Sequence, residues 1–159
     1  MLLLDDHRWN QLKSTYGTGS TVAQLLSSAS ADAPLDDWYD SLFQELLHQY
    51  TLSQVAYAAV PHLVDIAKRR LDARKHLMVL IGACYAHSSD AGGPSVPPYL
   101  QQEWRSSRTA ALPIMLEVLE DPQLDEEEIR YLLSSLAALK GQNELSIAIE
   151  ALDTDTEWP

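Results

Sequence analysis

The chain has 159 residues, of which 46% are hydrophobic, and this length and composition predict one folded domain over 1–159 rather than a disordered segment. Its formal net charge is −12, and residues 111–159 alone carry 12 acidic and 2 basic side chains. This balance argues against a nucleic-acid partner, because gripping a phosphate backbone needs a basic face, and it suits a basic protein partner.

The sequence also predicts a cytoplasmic protein with no membrane partner. Residues 1–6 lack the basic start and the long apolar run of a signal peptide. The most apolar stretch, residues 77–86, is roughly half of the ~18 residues that a membrane-spanning helix needs. The single cysteine, Cys84, cannot form an internal disulfide, so nothing requires an oxidising compartment.

Apolar residues recur at helical spacing along the chain, and they predict seven to eight helices and no sheet. These helices span about residues 5–16, 22–26, 34–50, 54–70, 72–87, 98–119, 125–140 and 143–152. Gly17 suits a left-handed residue after the first helix, and Gly141 closes the seventh. Small polar residues make 27–33 a loop, glycines and prolines make about 88–98 the longest loop, and residues 153–159 form an acidic C-terminal tail.

A short motif occurs twice in the chain. Residues 58–61 are Ala-Ala-Val-Pro, residues 110–113 are Ala-Ala-Leu-Pro, and aliphatic residues with one acid follow both in matching places. A proline inside a helix removes one backbone hydrogen bond, so Pro61 and Pro113 should bend or break their helices. A second helix follows each motif after a short break, and this pairing predicts an all-α solenoid of stacked helical hairpins rather than a four-helix bundle.

Several motifs within residues 5–70 resemble a group of small bacterial HEAT-like proteins. They are Trp9 and Leu12, Tyr16-Gly17, Val22 with Leu25-Leu26, Glu45-Leu46-Leu47-His48-Gln49, Thr51, and Ala58-Ala59-Val60-Pro61-His62-Leu63. The chain departs from the pattern at Tyr50, where the family usually has a glycine that tolerates a positive φ. The resemblance implies a HEAT-like, armadillo-type α–α superhelix without catalytic residues. Relatives of this kind resemble immunity proteins, which neutralise a toxin domain encoded beside them.

Acidic residues and two tryptophans are the candidate partner-binding residues. An acidic surface speeds the encounter with a basic protein, and tryptophan is enriched at interface hot spots. The candidates are Trp104, Asp125, Glu126, Glu127, Glu128, Asp153, Asp155, Glu157 and Trp158. The alternative interpretation is that the acids only cap a helix and keep the protein soluble. The other two tryptophans, Trp9 and Trp38, are expected in the core.

No catalytic residue, cofactor or metal site is expected. Glu45 and His48 lie on one helical face, but no second pair of this kind completes a metal site, so His48 and Gln49 are expected to bond the adjoining turn. The basic cluster, residues 68–75, could meet a phosphate or an acidic partner. The preferred interpretation is a helix end and a solvated helix start, partly paired with Asp65 and Asp72.

The function predicted first is therefore a non-catalytic protein-binding module, an immunity protein that neutralises a cognate bacterial toxin. A housekeeping scaffold or adaptor is the alternative. A HEAT-like DNA glycosylase is a remote third possibility, and the net charge of −12 argues against it.

Overall fold

The computed structural model describes residues 1–89 and 93–152, and 70% of the chain is helical. Seven α-helices lie in the described part: α1 Gly19–Ser30, α2 Tyr39–Leu46, α3 Ala56–Arg69, α4 Leu71–Ala86, α5 Gln101–Leu119, α6 Glu126–Leu139 and α7 Asn143–Glu150. Short 3-10 helices cover His7–Gln11, Leu35–Asp37, His87–Ser89 and Pro98–Leu100, and two strands, β1 Leu47–His48 and β2 Thr51–Leu52, form a hairpin. The predicted all-α class is confirmed.

The predicted first helix, residues 5–16, is wrong. Only a 3-10 helix forms there, and Asp6 caps it by accepting a hydrogen bond from the Arg8 backbone N–H at 2.9 Å. The chain then reverses, because Ser14 and Gly17 bond each other across the turn, and Gly17 does not adopt the predicted left-handed conformation. Polar side chains that bond the nearby backbone compete here with helix formation.

Two ring nitrogens bond the N-terminal segment, one from within the segment and one from α3. The Trp9 indole N–H donates to the Leu3 carbonyl at 2.7 Å, and His62 Nε2 lies 2.8 Å from the Leu2 carbonyl oxygen. The rings of Trp9 and His62 pack together with centroids 5.9 Å apart. Burial lowers the pKa of His62, because the charged imidazolium is poorly solvated there.

Two further elements differ from the prediction. The loop expected at 27–33 begins later, because α1 continues to Ser30 and buries Ala29. The helix expected at 34–50 is divided at Trp38, whose φ of −140° is not helical, and α2 ends at Leu46. The chain then forms the β1–β2 hairpin, so the prediction of no sheet is wrong at this one place.

The two proline motifs lie in the hairpins α3–α4 and α5–α6. Neither proline ends its helix, because α3 continues from Pro61 to Arg69 and α5 from Pro113 to Leu119. The first helices of the hairpins, α3 and α5, pack on each other, and so do the second helices, α4 and α6. Residues 56–64 of α3 are all buried, so this helix is the centre of the core.

The contact of α4 with α6 depends on small residues. A Cβ atom added to Gly82 would lie 2.1 Å from the Ser135 Cβ atom, which is far inside van der Waals contact. The Ser135 hydroxyl donates to the Val79 carbonyl at 3.3 Å, so it bonds the helix that it touches. The close approach of the two second helices is therefore a consequence of glycine at position 82.

Candidate binding surface

The β1–β2 hairpin closes with a strained two-residue turn. The strands pair Leu47 with Leu52 and His48 with Thr51, which leaves Gln49 and Tyr50 as the loop. Both loop residues have positive φ, 47° and 62°, as in the type I′ turns that usually hold asparagine and glycine. Tyr50 therefore has a backbone conformation that glycine tolerates better, and the residue is 65% exposed. Strain of this kind is often found at functional sites.

Polar contacts fix the turn from the side. His48 Nδ1 lies 2.9 Å from the Tyr16 hydroxyl and 3.1 Å from Gln44 Oε1. The Glu45 carboxylate accepts a hydrogen bond from the Tyr16 backbone N–H at 3.3 Å. The prediction that His48 bonds the adjoining turn is confirmed, and Glu45 contributes to the same contact. Gln49 instead lies at the strained loop position.

An apolar cleft opens beside this turn. It has a volume of about 330 Å³ and lies between the turn and the helices α4, α6 and α7. Its walls include Phe43, Leu47, Val79, Tyr131 and Tyr50. A second hollow of about 320 Å³ shares Tyr50 and Glu150 with the first and continues toward His87 and Ile147. Together they form what we call the Tyr50 cleft, whose size is that of a small ligand pocket.

Most polar groups of the Tyr50 cleft are already engaged. The Ser134 hydroxyl donates to the Ser146 carbonyl at 2.9 Å, and the Ser135 hydroxyl bonds α4 as described above. Among the described lining residues, Glu150 is the one that carries a formal charge. Arg130, which is not a lining residue, donates to the backbone carbonyls of Glu150 and Leu152 at 2.7 and 2.9 Å.

The acidic run at the start of α6 has mixed roles. Asp125 and Glu128 form a capping box, in which each carboxylate accepts a hydrogen bond from the other's backbone N–H, at 2.8 and 3.1 Å. The Glu128 carboxylate also pairs with Lys75, and this hydrogen bond holds its pKa below the usual value. Glu127 lies 4.0 Å from Arg130. Glu126 is exposed and has no cation partner in the described part of the chain.

Trp104, one of the two predicted aromatic anchors, is not exposed for binding. Trp104 is only 7% exposed and lies between Tyr57 and Tyr85, with ring centroids 4.8 and 4.1 Å away. The Tyr85 hydroxyl donates to the Trp104 carbonyl at 2.6 Å, so this tryptophan is a core residue that a partner does not reach. The remaining predicted residues, Asp153, Asp155, Glu157 and Trp158, lie outside the described residues.

The basic cluster is used within the fold. Lys68 pairs with Asp65 at 2.9 Å, and the Arg70 guanidinium binds the Asp72 carboxylate and the Ala33 carbonyl. Its hydrogen bond lowers the pKa of Asp72. Two further cations reach the next hairpin, because Arg74 bonds Glu117 at 3.0 Å and Lys75 bonds Glu128. The predicted pairing with Asp65 and Asp72 is confirmed, but the predicted solvated helix start is wrong, because Arg74 and Lys75 pair with acids of the next hairpin.

Sequence reasoning missed the Tyr50 cleft. Its walls come from α2, β1, α4, α6 and α7, and no local pattern connects residues so far apart. The one available signal was tyrosine at the position where glycine is usual. Within residues 1–89 and 93–152, no three histidine, cysteine or acidic side chains converge as a metal site would require. No helix in the same ranges is long and apolar enough to cross a membrane.

No protein-family model matches the chain, and neither a curated protein nor a solved structure is significantly similar to it.

Proposed function

We propose that this chain is a non-catalytic protein-binding module with a HEAT-like superhelix, and that it acts as an immunity protein against a bacterial toxin encoded beside it. The architecture is supported by the packing of the two hairpins, in which α3 contacts α5 and α4 contacts α6. Stacked hairpins of this kind provide extended surfaces for binding another macromolecule. Residues 58–61 and 110–113 both lie in the first helix of their hairpin, α3 and α5.

The observation that carries the proposal is the uncompensated acid at the junction of α5 and α6. Cations of the α3–α4 junction are held by acids and carbonyl oxygens of the fold. Glu120, Asp121 and Glu126 are exposed at the α5–α6 junction and have no cation partner among the described residues. A basic protein surface is the complementary partner for such a site.

A toxin that acts on nucleic acid is a partner with the required charge. Such a domain needs a basic surface to bind phosphates, and an acidic inhibitor competes for that surface by mimicking them. Like-charged partners are rejected by the same field, so the acid contributes to specificity as well as to the rate of encounter.

The direct test is co-expression with the product of the adjacent gene. We expect this chain to rescue growth of cells that make the neighbouring protein and to co-purify with it. Failure of both rescue and co-purification would remove the proposal. If no toxin-like gene is adjacent and an endogenous protein is captured instead, a housekeeping scaffold replaces the immunity protein as the explanation.

A charge variant tests the acidic junction itself. Replacing Glu120, Asp121 and Glu126 by their amides should slow association with the partner and weaken its dependence on salt. The control replaces Asp36, Asp37 and Asp40, which are also exposed, so that the net charge changes equally at another place. If both triple variants associate at the same rate, the junction is not the contact surface.

A further inference from the structure

We infer that the Tyr50 cleft is a receptor for one arginine side chain of a protein partner, and this inference rests on the proposed protein-binding function. Arginine combines an apolar stem with a planar cation, and it is enriched at interface hot spots. The cleft offers the corresponding surroundings, namely aromatic and aliphatic walls and one acidic lining residue, Glu150.

The aromatic side chains suit a planar cation. Tyr50 is shared by both hollows of the cleft, and Tyr131 and Phe43 contribute further rings to the walls. The arginine guanidinium stacks on such rings, and the methylene stem of arginine covers apolar surface. The compact ammonium of lysine stacks on rings less well. The fold already contains this interaction, because the Arg130 guanidinium lies 4.7 Å from the Tyr131 ring centroid.

The polar groups of the cleft favour a cation over an apolar side chain. The hydroxyls of Ser134 and Ser135 are bonded within the fold, and Glu150 is the described lining residue that carries a negative charge. An apolar ligand would remove water from this carboxylate and leave it without a partner, which is costly.

Charge complementarity also decides between possible occupants. The Arg130 guanidinium donates to the backbone carbonyls of Glu150 and Leu152, and no cation of the described residues pairs with the Glu150 carboxylate. Two copies of this chain, each with a net charge of −12, repel each other, so self-association through the cleft is disfavoured. A basic partner brings arginine with a favourable field.

The test uses the full chain and does not require the partner. The probe is the acetylated and amidated tripeptide Ala-Arg-Ala, and its matched control has citrulline, which keeps the stem and the planar group but lacks the charge. Amide NMR of the isotope-labelled protein should show saturable shifts at Tyr50 and Glu150. Because a charge-assisted hydrogen bond is roughly twice as strong as a neutral one, we expect the arginine peptide to bind about 10-fold more tightly than the citrulline peptide.

Two glutamine variants identify the group responsible. In Glu150→Gln the two peptides should bind alike, because the carboxylate that distinguishes them is gone. Glu144→Gln, an exposed position on the same helix outside the cleft, should keep the preference for arginine. Circular dichroism checks that both variants are folded. Equal binding of the two peptides to the unmodified chain, tighter binding of a leucine peptide, a preference that survives Glu150→Gln, or no saturable shift overturns the inference.

The outcomes separate this inference from the proposed function. Arginine binding without rescue by co-expression would leave the cleft intact and remove the immunity role. Rescue that is unaffected by Glu150→Gln, together with no preference for the arginine peptide, would leave the immunity role and remove the cleft as its contact site.

Discussion

The left-handed turn at position 50 predicts a reversed order of stability for two substitutions. In ordinary backbone, glycine in place of alanine destabilises a folded protein by roughly 0.5–1 kcal/mol, because glycine loses more conformational freedom on folding. Tyr50 has φ of 62°, a region where a residue with a Cβ atom costs roughly 1–2 kcal/mol. Tyr50→Gly should therefore be more stable than Tyr50→Ala, by about 1 kcal/mol.

How the stability of each variant compares with that of the unmodified chain depends on the contacts of the tyrosine ring. It packs against the ring of His87 at 5.5 Å between centroids, but 65% of the residue is exposed. Aromatic pairs contribute about 0.5–1.5 kcal/mol, and the exposure places this one near the lower limit. Tyr50→Ala should accordingly be less stable than the unmodified chain by about 0.5 kcal/mol. Tyr50→Gly loses the same ring but is relieved of the backbone strain, so it should be more stable than the unmodified chain by about 0.5 kcal/mol.

Equilibrium unfolding in urea measures both free energies. The control is Ala148→Gly at an exposed position within α7, where glycine should cost about 1 kcal/mol. Glycine should therefore be more stable than alanine at position 50 and less stable than alanine at position 148. If alanine is the more stable residue at both, Tyr50 does not hold a left-handed conformation in solution, and the hairpin lacks the strain that we assign to it.

The remaining predictions concern packing, protonation and capping. Gly82→Ala should destabilise the chain by about 3 kcal/mol, because its Cβ atom would overlap Ser135, whereas Gly17→Ala, with open space around it, should be neutral or stabilising in the same thermal melts. Because burial lowers the pKa of His62, its stabilising contribution is full above the ordinary value of 6.5 and is lost as the pH falls below it. The stability of the unmodified chain relative to His62→Gln should therefore decline toward acid, and a difference that rises or stays constant would contradict this. Asp125→Ala removes half of the capping box and should cost about 1 kcal/mol in urea unfolding, whereas Glu126→Ala, which lacks a capping contact, should cost less.

The second half of the fold could be predicted from the sequence because its helices carry strong local signals. Asp125 and Glu128 have the spacing of a capping box, and the structure forms one. Gly141 closes α6 with φ of 77°, the conformation that glycine tolerates best. Where start and stop signals are chemical and local, the predicted bounds differ from the observed ones by about two residues, apart from the 3-10 turn at Pro98–Leu100 that precedes α5.

The first half was harder because its segments are short and stabilised by distant contacts. Thr15 donates to the Glu45 carbonyl through both its backbone N–H and its hydroxyl. This contact with α2 holds the nearby residues in a non-helical conformation, although their apolar spacing predicts a helix. The hairpin turn has glutamine and tyrosine where a sequence signal would require asparagine and glycine. Its register is instead fixed by burial of Leu47 and Leu52, which face the core on opposite strands.

Trp104 illustrates why a large aromatic residue is ambiguous in sequence. It shares its helical face with Ser107 and Ala111, both buried, and the small side chains leave room for the ring beneath α5. A tryptophan on a largely polar helix can lie in the core or at an interface, and the packing of the neighbouring helices determines which. Here Tyr57 and Tyr85, from two other helices, enclose it.

Net charge by itself is a weak guide to a partner, because a partner meets the charge that the fold leaves unpaired. Residues 51–110 carry more cations than acids, yet Arg74 and Lys75 bond acids of the following hairpin. Another cation of this segment, Arg108, lies over the Tyr85 ring at 4.7 Å. A phosphate ligand would have to displace such internal contacts before it gained any of its own, whereas a cationic ligand finds carboxylates that no cation of the described chain occupies.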